Sequence, residues 1–296
     1  MTVLATVQAG VPATARPAVH WRHSLIARLL ASPASAGSLL LLTLIVGGAL
    51  LAPWVAPADP YQASMLRRLL PVGSPGFPLG TDEIGRDMLS RLIWGGRLSL
   101  LMGVTPVALA FGIGTAIGLV AGYAGGWLNT LVMRVLDVFY AFPSVLLAVA
   151  VTGALGPGLN NSILALTLVF IPQVVRIAES ATTQVRRLEY VDAARISGAS
   201  TIAILWQHVL GNVLGPVFVY ATGLVSVSMI LASGLSFLGL GVRPPEAEWG
   251  LMLNTLRSAI YLNPAVAALP GALIFLTSMA FNLLADGLRS ALERQG

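Results

Sequence analysis

Long apolar runs without a charged side chain make up most of this chain. They lie between Arg28 and Asp59, Arg97 and Arg134, Asp137 and Arg176, Arg195 and Arg243, and Arg257 and Asp286. An α-helix rises 1.5 Å per residue and needs about 20 apolar residues to cross the hydrocarbon of a bilayer. The run after Asp137 is too long for one such helix, and a Gly-Pro-Gly break at residues 156–158 divides it. The pattern therefore predicts six membrane-spanning helices, near residues 39–55, 98–121, 131–154, 162–180, 213–237 and 266–286.

The spacing of these runs predicts an all-α, polytopic membrane protein with one membrane domain at residues 39–290. Residues 1–38 form a tail, and because the first apolar run begins so late, a retained first helix is expected rather than a cleaved signal peptide. Residues 122–129 are predicted to form the loop that closes the second crossing. Longer polar segments lie at 56–97 and 239–265 on one side of the membrane and at 181–212 on the other.

The positions of the arginines predict an orientation. With both termini in the cytoplasm, ten arginines lie in inner segments and seven in outer ones, as the positive-inside rule favours. Segment 181–212 and its flank contain four of the inner arginines. We therefore expect a multi-pass protein of the cytoplasmic membrane, with 181–212 inside and 56–97 and 239–265 outside.

The composition indicates that lipid covers much of the surface. Of 296 residues, 56% are hydrophobic and 10% are charged, against roughly 25% charged in soluble domains. The net charge of +5 comes from arginines spread between apolar runs, whereas nucleic-acid-binding proteins cluster them on one face, so no nucleic-acid partner is expected. The absence of cysteine excludes thiolate chemistry, and the absence of lysine excludes an ordinary P-loop. If ATP drives this protein, another subunit binds it.

Segment 181–212 has the features of a docking element. A helix is predicted from Leu188, with Glu189 and Asp192 in its first turn, where the helix dipole favours acidic side chains. Ala194 and Gly198 are four residues apart and are expected to share a face of small residues that another backbone can approach closely. A solvated surface helix is the alternative, and the residues alone leave both open.

Several polar residues have a structural interpretation that competes with a functional one. Asp82, Glu83 and Asp87 lack the full ligand set of a calcium loop, so we expect Asp82 to cap a helix that runs through Ser90. His208 is interpreted as a hydrogen-bonding residue rather than a metal ligand.

Two further patterns lie in the predicted crossings. Arg134 and Asp137 are three residues apart near the inner end of the third crossing, and we expect them to pair there as an anchor or subunit contact. Gly114, Gly118 and Gly122 share one helix face, an arrangement that favours close helix packing in lipid.

Segment 181–212 resembles the cytoplasmic EAA loop of ABC importer permeases. That loop has the pattern Glu-Ala-Ala, three residues, glycine, nine residues, and an Ile-x-Leu-Pro-like ending. Asp192-Ala193-Ala194 and Gly198 stand at the matching positions, and His208-Val209-Leu210-Gly211 follows after nine residues. Asp192 replaces the glutamate with its charge retained, and Gly211 stands where proline is usual.

A second resemblance lies in the first outer segment. Residues 79–91 are similar to the Leu-Gly-Thr-Asp-x-x-Gly-Arg-Asp signature of the dipeptide/oligopeptide/nickel branch of these permeases. Further matches follow in the same order at 122–127, 134–143 and 235–250, so the likeness covers roughly residues 40–290. The chain is similar to the C-type permease of a peptide importer. Its signature positions are Gly80, Thr81, Asp82, Gly85, Arg86 and Asp87.

The resemblance implies a type I importer permease fold and the inward passage of dipeptides or oligopeptides. It implies as partners a second permease, two cytoplasmic ATPase subunits that carry ATP and Mg²⁺, and an extracytoplasmic binding protein. Residues 189–200 would lie in a groove of an ATPase. The expected coupling residues are Glu189, Asp192, Ala193, Ala194 and Gly198. The chain itself is expected to be no enzyme and to hold no cofactor or metal.

Alternative functions remain open at this point. The same motifs serve nickel importers, and the residues do not identify the cargo among peptides, nickel and other small solutes. A secondary transporter needs buried coupling acids in mid-membrane, and an integral-membrane enzyme needs polar groups that converge at one depth. The predicted crossings contain neither.

Overall fold

The computed structural model of this protein describes residues 29–30 and 32–293. The tail arginines Arg16, Arg22 and Arg28, and Arg294, lie outside this part. The described residues form helices without a β-strand. In chain order the helices are α1 Pro33–Leu50, α2 Ala52–Val55, α3 Met88–Ala124, α4 Gly126–Tyr140, α5 Ser144–Leu155, α6 Leu159–Val185, α7 Glu189–Ile196, α8 Thr201–Phe237, α9 Trp249–Thr255 and α10 Pro264–Glu293.

Five of the described helices, α1, α3, α6, α8 and α10, are long and apolar enough to cross a membrane. The bent pair α4–α5 makes a sixth if it counts as one span. The all-α membrane architecture is therefore confirmed. The first span begins at Pro33, earlier than the predicted residue 39, with the proline at a first-turn position that needs no N–H.

Two predicted boundaries near the third crossing are wrong. Residues 131–154 do not form one helix, because α4 and α5 meet at an angle of 85°. Pro143 lacks an N–H and disfavours a helical conformation at Phe142, which accounts for the break. The predicted loop at 122–129 is one residue long: Gly125, with a φ of +66°, is the whole turn between α3 and α4.

The glycines of α3 lie against α6 of the same chain. A Cβ atom added at Gly118 would lie 2.6 Å from the Cβ atom of Ala178, and one at Gly122 would lie 2.7 Å from the carbonyl oxygen of Glu179. Gly114 is equally close to α6. The predicted close helix packing on this face is confirmed, and its partner is α6.

α8 lies at the centre of the bundle, packed against α3, α6 and α10, while α1 packs on α10 and α3. The two ends of the bundle differ. At the start of α6, the N–H of Gly158 donates to the carbonyl oxygen of Leu240 at 3.1 Å. At its other end α6 leads directly into α7. We call the end with α7 the loop end, and we call residues 56–87 and 238–263 at the opposite end the cap.

Candidate functional site

The predicted docking helix is present as α7. It begins at Glu189, with Leu188 as the N-cap residue and Glu189 and Asp192 in the first turn, as expected. Asp192 pairs with Arg195 at 2.8 Å, and both side chains are about half-exposed. Val191 is the buried residue that fixes α7 on the bundle. The acidic face is therefore directed away from the membrane domain.

The predicted shared face of small residues on α7 is wrong. Ala193 is exposed, whereas Ala194 packs against the hydrophobic core. Gly198 lies beyond the end of the helix with a φ of +81°, and its N–H donates to the carbonyl oxygen of Arg195. The N–H of Ala199 donates to the carbonyl oxygen of Ala194, which completes a Schellman motif. Gly198 is therefore the residue that ends α7 in a left-handed conformation.

Large apolar side chains stand exposed around α7, and the sequence analysis missed them. Ile196 is 88% exposed, Ile202 is 79% exposed and Trp206 is 74% exposed. An exposed apolar cluster at the polar end of a membrane bundle is typical of a protein-protein contact. Their sequence signal was the position of these large apolar residues after the charged residues of the loop and before the predicted crossing at 213–237.

Hydrogen bonds join α7 to the first turns of α8. The Tyr190 hydroxyl donates to the carbonyl oxygen of His208 at 3.3 Å and accepts from the Asn212 side-chain amide at 2.9 Å. Residues Leu205–Val209 form a π-helical turn, a feature frequent at functional sites. His208 thus has a hydrogen-bonding role through its backbone, and no cluster that could hold a metal occurs among the described residues.

A second connection joins the loop to the α3–α4 turn. The Arg186 guanidinium donates to the carbonyl oxygens of Gly122 at 3.0 Å and Tyr123 at 2.9 Å. These carbonyl groups end α3 and have no partner within the helix. The guanidinium of Arg195, on α7, lies 5.8 Å from the centre of the Tyr123 ring. The contacts of Arg195 on α7 and of Arg186 just before it therefore reach the end of α3, in addition to the contacts with α8.

The signature residues form the core of the cap. Asp82 accepts hydrogen bonds from the backbone N–H groups of Ile84 and Arg86 and pairs with the Arg86 side chain at 2.5 Å. The Arg91 guanidinium lies 3.3 Å from the same carboxylate. All three charged side chains are buried, so this cluster holds a folded loop rather than a catalytic site.

Other signature residues shape the same loop. Gly80 and Gly85 have φ angles of +76° and +81°, and an added Cβ atom would collide with backbone in both cases. The Thr81 hydroxyl donates to the carbonyl oxygen of Arg67. The prediction that Asp82 caps the helix through Ser90 is wrong. The capping residue is Asp87, which accepts from the Ser90 N–H at 2.8 Å, and α3 begins at Met88.

Arg91 joins the two parts of the cap. Its guanidinium donates to the carbonyl oxygens of Pro60 at 3.0 Å and Glu246 at 3.2 Å. Beside it, the Tyr61 hydroxyl donates to the Glu246 carboxylate at 2.9 Å. Burial raises the pKa of Tyr61, and the neighbouring Glu246 carboxylate raises it further.

Glu248 and Trp249 attach the cap to α3. The buried Glu248 carboxylate accepts from the Ser99 hydroxyl at 3.0 Å and caps α9. Its burial raises its pKa, and hydrogen bonds from the Gly250 and Leu251 N–H groups oppose this shift. The Trp249 indole donates to the carbonyl oxygen of Leu92 at 2.9 Å.

The predicted pair Arg134–Asp137 forms only a long contact of 3.8 Å. The principal partner of Asp137 is Arg176 of α6, at 2.8 Å. The Arg176 guanidinium also lies 4.4 Å from the centre of the Tyr140 ring, at the last residue of α4. Arg176 therefore fixes α4 to α6 immediately before the 85° bend, which the sequence spacing did not indicate.

Comparison with known proteins decides the family. The family described as "binding-protein-dependent transport system inner membrane component" matches residues 114–295, more than half of the chain, including α6, α7, α8 and α10. The chain belongs to this family. As a transport-system inner membrane component it is a multi-pass permease subunit of an ABC importer, and the secondary-transporter alternative does not fit.

Curated relatives extend the match over most of the chain. The di/tripeptide transport system permease protein DppC of Pseudomonas aeruginosa (strain UCBPP-PA14) is 45% identical over 87% of this chain and 86% of its own length. The glutathione transport system permease protein GsiD of Pectobacterium atrosepticum is 41% identical over 86% of this chain and 84% of its own. The dipeptide transport system permease protein DppC of Haemophilus influenzae is 38% identical over 82% and 84%.

Proposed function

We propose that this permease moves short peptides across the cytoplasmic membrane, with α7 as the contact for an ATPase subunit. The relatives described above are named for dipeptides, di/tripeptides or glutathione. The observation that carries the ATPase contact is the exposed apolar cluster of Ile196, Ile202 and Trp206 beside the acidic first turn of α7. Such a surface suits a soluble partner with an apolar groove and basic rim.

The remaining parts of the proposal follow from this assignment. The loop end and both termini lie in the cytoplasm, where ATP is present, and the cap lies outside, where a binding protein delivers the peptide. Two ATPase subunits bind ATP and Mg²⁺, because this chain has no lysine for a phosphate-binding loop. A second permease completes the pathway, and this chain holds no cofactor.

The hydrogen bonds at the loop end support α7 as the coupling element. Tyr190 connects it to α8 and Arg195 lies near the Tyr123 ring at the end of α3, while Arg186, three residues before α7, donates to the same turn. A closing movement of the ATPases that displaces α7 therefore acts on three membrane helices at once. Gly198 contributes by ending α7, and Glu189, Asp192 and Ala193 contribute as exposed contact residues.

The test uses two exposed tryptophans at opposite ends of the helix bundle. Trp206→Ser should abolish co-purification of the ATPase subunits and uptake of a labelled dipeptide, with normal abundance in the membrane. Trp54→Ser is the matched control, because Trp54 is 79% exposed but belongs to α2 near the cap. Uptake of labelled Ni²⁺ by the parent without dipeptide uptake would overturn the cargo, and normal co-purification by Trp206→Ser would overturn the contact.

A further inference from the structure

A groove with several polar side chains in a mainly apolar lining runs along α8 at the loop end, between α6 and α10, with a volume of about 960 Å³. This is within the range of small-molecule sites. The polar lining residues are Gln173, Asn212, Tyr220, Asn282, Asp286 and Arg289. We propose that short peptides lie in this groove during passage, with the second permease as its opposite wall. The proposal rests on the proposed function and adds the place of the cargo.

The side-chain chemistry of the groove indicates contact with water or a polar ligand. Amide and charged groups are costly in hydrocarbon. Here three spanning helices direct such groups to one groove, and the Tyr220 hydroxyl donates to the Gln173 side-chain oxygen at 3.4 Å between α8 and α6. A surface facing lipid tails would place apolar side chains at these positions.

Glycines of α8 keep the groove open. A Cβ atom added at Gly211 would meet nothing within 4 Å, one at Gly215 would meet only Leu292 at 3.9 Å, and one at Gly223 only Ala285 at 3.6 Å. Gly114, Gly118 and Gly122 of α3 are covered by α6, so the two sets have different roles. On α3 the missing side chain permits helix contact, and on α8 it leaves space.

The groove continues toward the cap along the same two helices. A second groove of about 650 Å³ lies between α8 and α10, and Asn282 lines both. Its walls are mainly apolar, with Phe237 and Phe275, and it reaches Leu253 of α9 in the cap. The two grooves together follow α8 from the loop end to the cap, as a passage between the two sides requires.

The lining suits the chemistry of a short peptide. The side-chain amides of Gln173, Asn212 and Asn282 each offer a donor and an acceptor, as a peptide bond does. Asp286 and Arg289 supply opposite charges, which complement an α-ammonium and an α-carboxylate group. The apolar groove nearer the cap can accept side chains of varied size.

The mouth of the groove is joined directly to the docking helix. Asn212 lines the groove and donates to the Tyr190 hydroxyl of α7 at 2.9 Å. A displacement of α7 therefore changes the position of a lining residue. This connection gives ATPase closure a short route to the peptide.

Cysteine labelling tests the groove, since the chain has no cysteine of its own. In the assembled importer in nanodiscs, Gly215→Cys and Asn282→Cys should react with a charged methanethiosulfonate reagent. Dipeptide with binding protein and MgATP should slow this reaction about threefold, as two-thirds occupancy predicts. Phe218→Cys, on the same helix but outside the groove and 53% exposed, should stay unlabelled.

Other outcomes identify other occupants and overturn the proposal. If the cysteines react with an apolar maleimide alone, lipid fills the groove. If they form a cross-link to the second permease and are not labelled, a helix of that subunit fills it. If they are labelled at a rate that peptide does not slow, the groove lies outside the pathway. Dipeptide uptake by the cysteine-free parent tests the proposed function separately, because labelling by the charged reagent does not depend on the cargo.

A blocking variant gives a second, independent readout. Gly215→Trp should reduce dipeptide uptake at least about tenfold, equivalent to 1.4 kcal/mol, with ATPase co-purification unchanged. Phe218→Trp is the control for added bulk on α8 and should import normally. Normal uptake by Gly215→Trp in the membrane at parental abundance would overturn the proposal.

Discussion

The Tyr190 hydroxyl of α7 accepts a hydrogen bond from the Asn212 side chain of α8 at 2.9 Å and donates to the carbonyl oxygen of His208 at 3.3 Å. This phenol links α7 to the central membrane helix. Gly211, where related loops carry proline, has open space around it and lies one residue before Asn212. In related loops the proline makes this segment rigid. In this chain the hydrogen bonds of Tyr190 hold the segment in place.

Removal of this hydroxyl should separate docking from transport. Tyr190→Phe keeps the ring and loses two hydrogen bonds worth about 1 kcal/mol each, so uptake should fall by up to roughly 30-fold at unchanged ATPase co-purification. ATP hydrolysed per peptide imported is the measurement. Tyr261→Phe, which removes a hydroxyl from an exposed cap residue, should match the parent. An unchanged ratio in Tyr190→Phe would assign the hydroxyl a role in folding alone.

The left-handed conformation of Gly198 makes a graded prediction. A side chain at this φ costs about 1–2 kcal/mol, and asparagine tolerates it better than alanine. Uptake should therefore decrease in the order Gly198, Gly198→Asn, Gly198→Ala, although alanine is smaller than asparagine. Because no atom lies near an added Cβ, Gly198→Trp should resemble Gly198→Ala. If the tryptophan variant alone loses ATPase co-purification, steric contact with the ATPase is the cause.

The difference between packed and open glycines can be measured on one helix. Gly118→Ala places a Cβ atom 2.6 Å from the Ala178 Cβ atom and from a backbone oxygen of α6, so the melting temperature in detergent should fall. Overpacking of this kind costs about 1–3 kcal/mol. Gly112→Ala is the control on the same helix, where nothing lies within 4 Å. Its melting temperature should equal or exceed that of the parent, because alanine favours a helix. Equal melting temperatures for the two variants would contradict the α3–α6 contact.

The sequence was sufficient for the spans that depend on a long apolar run and for the close packing of one glycine face of α3, but it did not identify α6 as the partner of that face. Gly114, Gly118 and Gly122 lie against a neighbouring helix, whereas Gly211 and Gly215 of α8 have the same spacing and open space around them, so the spacing favoured close packing without deciding it. The α4–α5 bend was missed because Pro143 falls within an apolar run, and hydropathy does not register a change of direction. A proline within such a run was not a sufficient signal, because Pro106, Pro172, Pro216 and Pro270 stand inside helices that continue through them.

The candidate site was predicted in its location and in part of its chemistry. The acids of the first turn of α7 follow from the helix dipole and were placed correctly. The role of Gly198 was not, since four-residue spacing implies a shared face only while the helix continues. Arg186 and Arg176 act through partners 64 and 39 residues away in the chain, which spacing arguments do not reach.

Glu248 gives a pH dependence with a defined sign. Burial raises its pKa above the ordinary value of 4.5, so the folded protein binds the proton more tightly than the unfolded chain. The stabilisation by protonation is complete below pH 4.5 and is lost as the pH rises through the raised pKa. Glu248→Gln does not titrate there. The melting temperature of this variant relative to the parent should therefore increase with pH above 4.5, and a constant difference would contradict the burial of an ionisable carboxyl.

The acidic first turn of α7 makes a prediction that depends on salt. Glu189 is exposed, so its contribution to ATPase docking is a screened Coulomb interaction, worth about 0.2–1 kcal/mol for one pair. Glu189→Arg should weaken the affinity of the assembled permeases for the ATPases several-fold at low ionic strength, and Glu189→Gln should weaken it less. At 1 M NaCl the Debye length is about 3 Å, so the three proteins should bind alike.

The measurement is ATPase binding to nanodisc-embedded permeases across a salt series. Salt strengthens an apolar contact such as that of Trp206 and does not screen it. Trp206→Ser should therefore bind the ATPases poorly at every salt concentration of the series. A Glu189→Arg defect that persists at 1 M NaCl would mean that the residue acts through the fold of α7 and not through charge.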